Sequence, residues 1–263
     1  MTTSTSSLID YSGVTESKGH RVTREALSMV YTRYAFAGKL CEKRDVLEVA
    51  CGGGHGLGYL ARKARRVVGG DYTERLLALA QRHCRGQVPL VRLDGHSLPF
   101  RPGSFGVVLL CEALYYLTET PRFVDEARRV LSRDGCLIIS TINREWPDFN
   151  PSPFSTRYFS GTELLALLED RGFQTKIYGA FPVVNDSARE RVISTIRRAA
   201  VRLHLIPRTM RGKEVLKRVF LGRLAVFPTE VVDAMAPYCA PAPLLPHGPI
   251  RDFKVLFAVG QKT

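Results

Sequence analysis

No apolar run in the 263 residues approaches the roughly 20 needed to cross a bilayer, so the sequence predicts no membrane-spanning helix. Met1 to Ser7 is rich in Ser and Thr and lacks the basic start and apolar stretch of a secretory leader. Residues 1–19 therefore read as a flexible tail, and the chain is expected in the cytoplasm. The six cysteines (Cys41, Cys51, Cys84, Cys111, Cys136 and Cys239) include no C-x-x-C pair. That excludes the usual zinc and thiol-redox spacings and suggests reduced, mostly buried thiols. No cluster of metal-ligating residues stands out, so no metal is expected, and no internal repeat is visible. Acidic residues are in deficit, and the formal net charge is +13.

The basic surplus is concentrated. Between Arg189 and Arg223 eleven Arg or Lys stand against Glu190 and Glu214, a balance of +9. Such a stripe suits an acidic partner (a phosphate, an anionic lipid or a nucleic acid) and equally a solvated helix face. The remaining composition is that of a globular protein, 45% hydrophobic and 24% charged. The length allows one large α/β core with an appended piece.

From residue 45 onward, short apolar runs alternate with helical patterns. Asp45–Ala50, Arg66–Gly70, Val88–Leu93, Gly106–Cys111 and Cys136–Ser140 read as strands. Leu57–Ala64, Thr73–Cys84, Pro121–Leu131 and Gly161–Arg171 read as helices, with Pro121 suited to a first turn and Gly172 to a stop. Phe173–Ala180 and Phe253–Val259 supply two more strands. Strands apolar on both faces call for a mostly parallel, doubly wound α/β sheet covered on both sides. Right-handed crossovers place the strands' carboxyl ends on one edge, where ligands bind. Residues 20–181 and 250–263 are expected to form this domain, with 182–249 as an inserted cap. That cap would hold one helix from Asp186 or Ser187 to about Leu205, a second from Arg211 to Gly222, and an irregular proline-rich loop (Pro237, Pro241, Pro243, Pro246, Pro249).

The chemistry is concentrated in Glu48-Val-Ala-Cys-Gly-Gly-Gly-His-Gly56. A strand ends in a carboxylate, and a glycine-rich turn leads into a helix. Glycines admit positive φ and close approach of a ligand, and N–H groups at the helix start would face an anion or carboxylate. Asp71 ends the second strand about twenty residues later, the usual place for an acid that binds ribose hydroxyls. Asp94 ends the third strand, where an acid can accept a hydrogen bond from an adenine amino group. A single strand-end Asp is as readily a helix cap or turn former. Three acids on successive strand ends fit an adenosyl group better.

These residues resemble the class I S-adenosylmethionine-dependent methyltransferases. The likeness runs through Glu48 with Gly52 and Gly54, through Gly70-Asp71-Tyr72, and through Leu93-Asp94-Gly95-His96. It continues in Phe105–Leu117 and in Phe123–Ile139, covering about residues 30–180. It implies an enzyme that uses S-adenosylmethionine on a Rossmann-like, seven-stranded, mostly parallel sheet with an antiparallel last strand. It further implies that Glu48 and the backbone of Cys51, Gly52, Gly53 and Gly54 hold the methionine part. Asp71 with Tyr72 would bind the ribose, Asp94, Gly95 and His96 the adenine, while Cys111 and Glu112 would flank the sulfonium. Two positions depart from the pattern. Ala50 replaces its first glycine, and Tyr116 stands where many relatives carry histidine, which removes an obvious general base.

Methyl transfer from a sulfonium is a direct displacement, so the protein mainly aligns the reactants and excludes water. A base is needed only where the nucleophile must lose a proton. Glu112 and Tyr116 are candidates, as are His20, His55 and His96. The expected acceptor is a small molecule, a natural-product, glycan or lipid intermediate of anionic or lipid-like character. Tyr31, Tyr34, Phe36 and the loop Trp146–Phe154, including Phe149, would roof it. Four other readings compete: a cofactor-binding protein without turnover, a nucleic-acid methyltransferase using the basic block, contact of that block with an anionic membrane, and an NAD-dependent oxidoreductase. The last rests on Gly56-Leu-Gly-Tyr-Leu-Ala61, which begins inside the expected helix and leaves Glu48 and Asp94 without roles. A homo-oligomer is compatible with the sequence.

Overall fold

The structure, a computed structural model, describes residues 10–13, 15, 20–183 and 224–263. The helices expected at Asp186–Leu205 and Arg211–Gly222 lie outside the described residues. A short strand β1 (Arg21–Val22) precedes α1 (Arg24–Cys41), whose start Thr23 caps by accepting from the Ala26 N–H at 3.0 Å. Strand and helix then alternate through β2 (Asp45–Val49), α2 (Leu57–Ala61), β3 (Arg66–Asp71), α3 (Glu74–His83), β4 (Leu90–Arg92) and β5 (Phe105–Cys111). Helix α4 (Thr120–Val130), with proline in its first turn, runs directly into β6 (Leu131–Ile142). A reciprocal cap starts α5 (Gly161–Glu169): Ser160 Oγ accepts from the Glu163 N–H while the Glu163 carboxylate accepts from the Ser160 N–H. Strands β7 (Phe173–Pro182), β8 (Ala225–Val226), β9 (Ala242–Leu244) and β10 (Phe253–Lys262) follow.

The main sheet has eight strands in the order β4-β3-β2-β5-β6-β10-β7-β9. Strands β2 to β6 pair in parallel, and β10 lies antiparallel between β6 and β7. The expected mostly parallel, Rossmann-like sheet with an antiparallel last strand is thus present. Alternation along the central strands explains the two-sided cover. Val108 and Leu110 of β5 join Leu137 and Ile139 of β6 in one cluster with Phe123, Val124 and Leu164 from α4 and α5. Val107, Leu109, Cys136 and Ile138 point the other way, onto Val30, Tyr34, Leu57 and Leu60 from α1 and α2.

The proline-rich stretch differs from expectation. Instead of remaining irregular it contributes β9, antiparallel to β7 at the sheet edge, with Pro243 opposite Tyr178. An edge strand tolerates proline because its missing N–H need not join a ladder. Nearby, β8 pairs with β1 in a separate two-stranded ribbon.

Chain order reverses between β2 and β5, and the carboxyl ends of these neighbours flank a crevice. The depth of this crevice depends on how closely α1 lies over the turn after β2. A Cβ added at Gly56 would fall 1.8 Å from the Tyr34 ring, whereas one added at Gly13 would meet nothing within 4 Å. Gly56→Ala is therefore expected to cost about 1–3 kcal/mol of stability through forced repacking, read by urea denaturation. Gly13→Ala should stay within about 0.5 kcal/mol of the parent.

Candidate active site

A cavity of about 660 Å³ occupies the crevice, well inside the usual range for small-molecule sites. The turn after β2 forms one wall. Ala50, Gly52 and Gly54 all hold positive φ, at 57°, 56° and 77°. Ala50 sits where the family pattern has glycine, so it carries left-handed strain of roughly 1–2 kcal/mol. Asp71 braces this turn. Its Oδ2 accepts from the Gly52 N–H and its Oδ1 from the Thr73 N–H, both at 2.8 Å, tying β2 to the start of α3. Burial raises the Asp71 pKa, and these backbone N–H groups oppose the rise.

Glu48 lies beneath the floor and is 1% exposed. The Tyr34 hydroxyl donates to its Oε1 at 2.7 Å, and its buried Oε2 has no hydrogen-bond partner among the described residues. Burial pushes its pKa up to about 8, opposed by the Tyr34 bond and reinforced by Asp71. An unmet carboxylate oxygen under a glycine turn suits the ammonium of a methionine-like group. Further along the crevice, Asp94, Gly95 and His96 line the cavity with Leu117. His96 Nε2 accepts from the Glu119 N–H at 3.2 Å, so its Nδ1 carries the proton donated to Asp94 Oδ1 at 2.6 Å. The Asp94 side chain is half exposed at this wall. The chain's own residues therefore fit S-adenosylmethionine.

The rest of the lining is of a different character. Ala26, Met29, Val30 and Ile142 add apolar side chains, Phe227 packs on His55, and Arg33, Glu112, Tyr115, Tyr116 and Ser152 add polar groups. Arg33 Nη2 lies 3.3 Å from Glu112 Oε1, and the Tyr115 hydroxyl donates to Oε2 at 3.3 Å. The Tyr116 hydroxyl shares a 2.7 Å hydrogen bond with Ser152 Oγ. Burial raises the Tyr116 pKa, so the phenol stays protonated near neutral pH. Burial and the Glu48 charge push the Cys111 thiol to about 12, which makes it an inert neutral group.

The residues expected at the roof are placed differently. Tyr34 lines the cavity from below as the donor to Glu48. Tyr31 packs edge-on against Tyr59 and Tyr238, and Phe36 packs on Tyr178 and Phe257, both away from the cavity. Helical spacing explains this: Ala26, Met29, Val30 and Arg33 form the cavity stripe at steps of three and four. Trp146 lies under the Lys254 ammonium, Phe149 stands edge-on to Tyr158, and Phe154 is exposed against Tyr11. None of these three lines the cavity; their loop contributes Ser152 instead. Among the histidines, the His20 carbonyl accepts from the Phe227 N–H, and the His55 ring pairs with the Thr229 carbonyl. His55 lines the cavity but holds the returning chain in place. From the expected tail, Tyr11 and Thr15 line the cavity, with Tyr11 packed on Tyr116 at 5.0 Å.

The oxidoreductase reading meets a physical obstacle. A Cβ at Gly56 would strike Tyr34 and one at Gly58 would strike Glu230, so these glycines admit protein packing and not a pyrophosphate. Among the described residues no group of three or more His, Cys, Asp or Glu is arranged to hold a metal. Nor is any helix among them long and apolar enough to cross a membrane.

A glycine turn thus stands at the switch point beside a cavity lined by Asp71 and Asp94, with Glu48 beneath the turn, the arrangement expected from the resemblance to class I methyltransferases. Residues 47–139 match the family model described as a methyltransferase domain. The chain is 37% identical over 157 residues to a protein of Mycolicibacterium smegmatis named as a probable S-adenosylmethionine-dependent methyltransferase, covering 56% of this chain and 58% of that one. It is 38% identical over 122 residues to phthiotriol/phenolphthiotriol dimycocerosates methyltransferase 1 of Mycobacterium ulcerans, covering 45% and 44%. The chain thus spans about half the length of the curated relatives it matches. Its fold is similar to that of a SAM-dependent methyltransferase from Thermotoga maritima, with a TM-score of 0.56 at 17% identity, over 89% of each chain.

The Glu48 carboxyl gives a pH signature. Its pKa is raised above the ordinary carboxylate value, so between about pH 4.5 and 8 the folded state holds a proton that the unfolded state has lost. Its contribution to stability is fully present at low pH and falls as pH rises through about 8. In Glu48→Gln the amide carbonyl can still accept from Tyr34. Relative to the parent, this variant should gain stability between pH 5.5 and 9, read from denaturant midpoints at both pH values. An unchanged difference would show that the carboxyl is ionised throughout.

Proposed function

We propose that this chain transfers the methyl group of S-adenosylmethionine to a small acceptor with a largely apolar, lipid-like body. The observation that carries the reading is one cavity with two unlike halves: acids and glycines on one side, aliphatic and aromatic side chains around a buried ion pair on the other. When bound, S-adenosylmethionine supplies a methyl group on a sulfonium, already activated for displacement. Asp94 and His96 orient the adenine end, Asp71 keeps the turn in shape beside the ribose, and Glu48 with Tyr34 receives the ammonium end. Met29, Val30, Ile142 and Phe227 exclude water from the reacting centre and leave room for an aliphatic or aromatic body.

The name of the Mycobacterium ulcerans relative, for phthiotriol and phenolphthiotriol dimycocerosates, supports a lipid-like acceptor. A nucleic-acid acceptor has less support: among the described residues Arg33 is the only Arg or Lys that lines the cavity, and Glu112 pairs with it.

Calorimetric titration with S-adenosylhomocysteine and with NAD tests the donor half. The expected result is tight binding of the former alone. Asp94→Ala should lose about 10–100-fold in affinity, the size of a lost charged hydrogen bond. Equal affinity in parent and variant would remove Asp94 from the adenine site, and preferential binding of NAD would overturn the reading.

A further inference from the structure

Resting on that reading of the cavity, we infer that Glu112 is the proton acceptor for the incoming nucleophile, that Arg33 is its positioning residue, and that the nucleophile is consequently a hydroxyl. Glu112 follows the last residue of β5 at the switch point, with φ of 52°, a strained conformation for a residue with a Cβ. Its N–H donates to the Ser140 carbonyl at 2.9 Å, which fixes the backbone where it leaves the sheet. Glu112 lines the cavity next to Cys111 in the chain, and its carboxylate meets Arg33 of α1 and the Tyr115 hydroxyl.

Arg33 is harder to explain as packing. It stands on the otherwise apolar cavity stripe of α1, and its side chain and that of Glu112 are only 15% and 16% exposed. A buried ion pair contributes little net stability compared with apolar residues of the same volume, so its presence at a reaction centre points to chemistry. A guanidinium beside a carboxylate favours the ionised form and, with the Tyr115 hydroxyl on the other oxygen, fixes its direction. Among the described residues, the other titratable groups with an electrostatic interaction with this carboxylate are Cys111 on β5, Tyr115 and Tyr116 in the turn after it, and Tyr158. Burial raises the pKa of all four, which leaves each of them protonated near neutral pH.

A neutral amine can attack before it loses its proton, whereas a hydroxyl needs a base as it reacts. In the step, the acceptor oxygen forms a bond to the methyl carbon as the carbon–sulfur bond breaks. The electron pair leaves on sulfur, which becomes a neutral thioether, and the hydroxyl proton passes to the Glu112 carboxylate.

The test uses three probes with one apolar body and different heads, 4-heptylphenol, 4-heptylaniline and 4-heptylthiophenol, incubated with methyl-labelled S-adenosylmethionine. The phenol should be methylated in preference to the other two. Glu112→Gln should lower kcat on it by about 100-fold or more, a loss larger than any change in its S-adenosylhomocysteine affinity. Arg33→Leu should move the acidic limb of the kcat profile to higher pH, and Arg33→Lys should restore most of the parent profile. Retained turnover in Glu112→Gln, an unmoved limb in Arg33→Leu, preference for the aniline or thiophenol, or turnover of none of the three would each overturn the inference. Because S-adenosylhomocysteine binding is read in every variant, failure of the donor site in the parent is told apart from failure of this assignment.

Discussion

A single buried hydrogen bond, Tyr34 to Glu48, joins the parts of this site. Tyr34 reaches from α1 across Gly56, which has no side chain to obstruct it, to a carboxylate at the end of the central strand β2. The contact places α1 directly over the glycine turn and brings its cavity stripe to the edge of the sheet. A buried carboxyl with one oxygen bonded and the other without a described partner favours its protonated form, which is why its pKa is raised to about 8. Asp71 does related work on the other side of the turn, where its two oxygens anchor Gly52 and Thr73. Of the three strand-end acids, one braces the turn, one lies below the floor, and only Asp94 stands half exposed in the cavity.

The sheet was legible because its rules are local. Strands apolar on both faces, separated by helical periods, specify a parallel sheet, and crossover handedness then specifies the reactive edge. The donor half was legible for a similar reason: Glu48, Asp71, Asp94 and the glycines occupy strand ends at standard separations. The edge strand β9 was hidden, because its prolines signal a loop unless an unpaired sheet edge is known to be waiting beside β7.

The acceptor half was legible only in part. Reading Tyr31 and Phe36 as roof residues followed their aromatic character, but helix phase governs placement, and that phase turns them away from the cavity. The signal was available in the run from Ala26 to Arg33, where a charged residue interrupts an apolar stripe. Tyr11, Ser152 and Phe227 carried no such mark. They come from three distant stretches of chain that meet only because Tyr116 packs against Tyr11, Ser152 bonds to Tyr116, and His55 holds the chain beside Phe227.

The two halves therefore rest on different kinds of support. The donor half is built from the ends of neighbouring strands, whose spacing is set by the sheet ladder and leaves little freedom. The acceptor half is assembled from α1, from the turn after β5, and from segments before and after the sheet core. Each of these is held by a few side-chain contacts. Substitutions at Met29, Val30, Ile142 or Phe227 can reshape that wall without disturbing a ladder hydrogen bond or a strand-end acid. Glu112 belongs to both halves: its backbone is fixed by the sheet through Ser140, and its carboxylate by the helix through Arg33. A group tied to both is suited to a role common to all acceptors the wall could be shaped for, which is the handling of a proton.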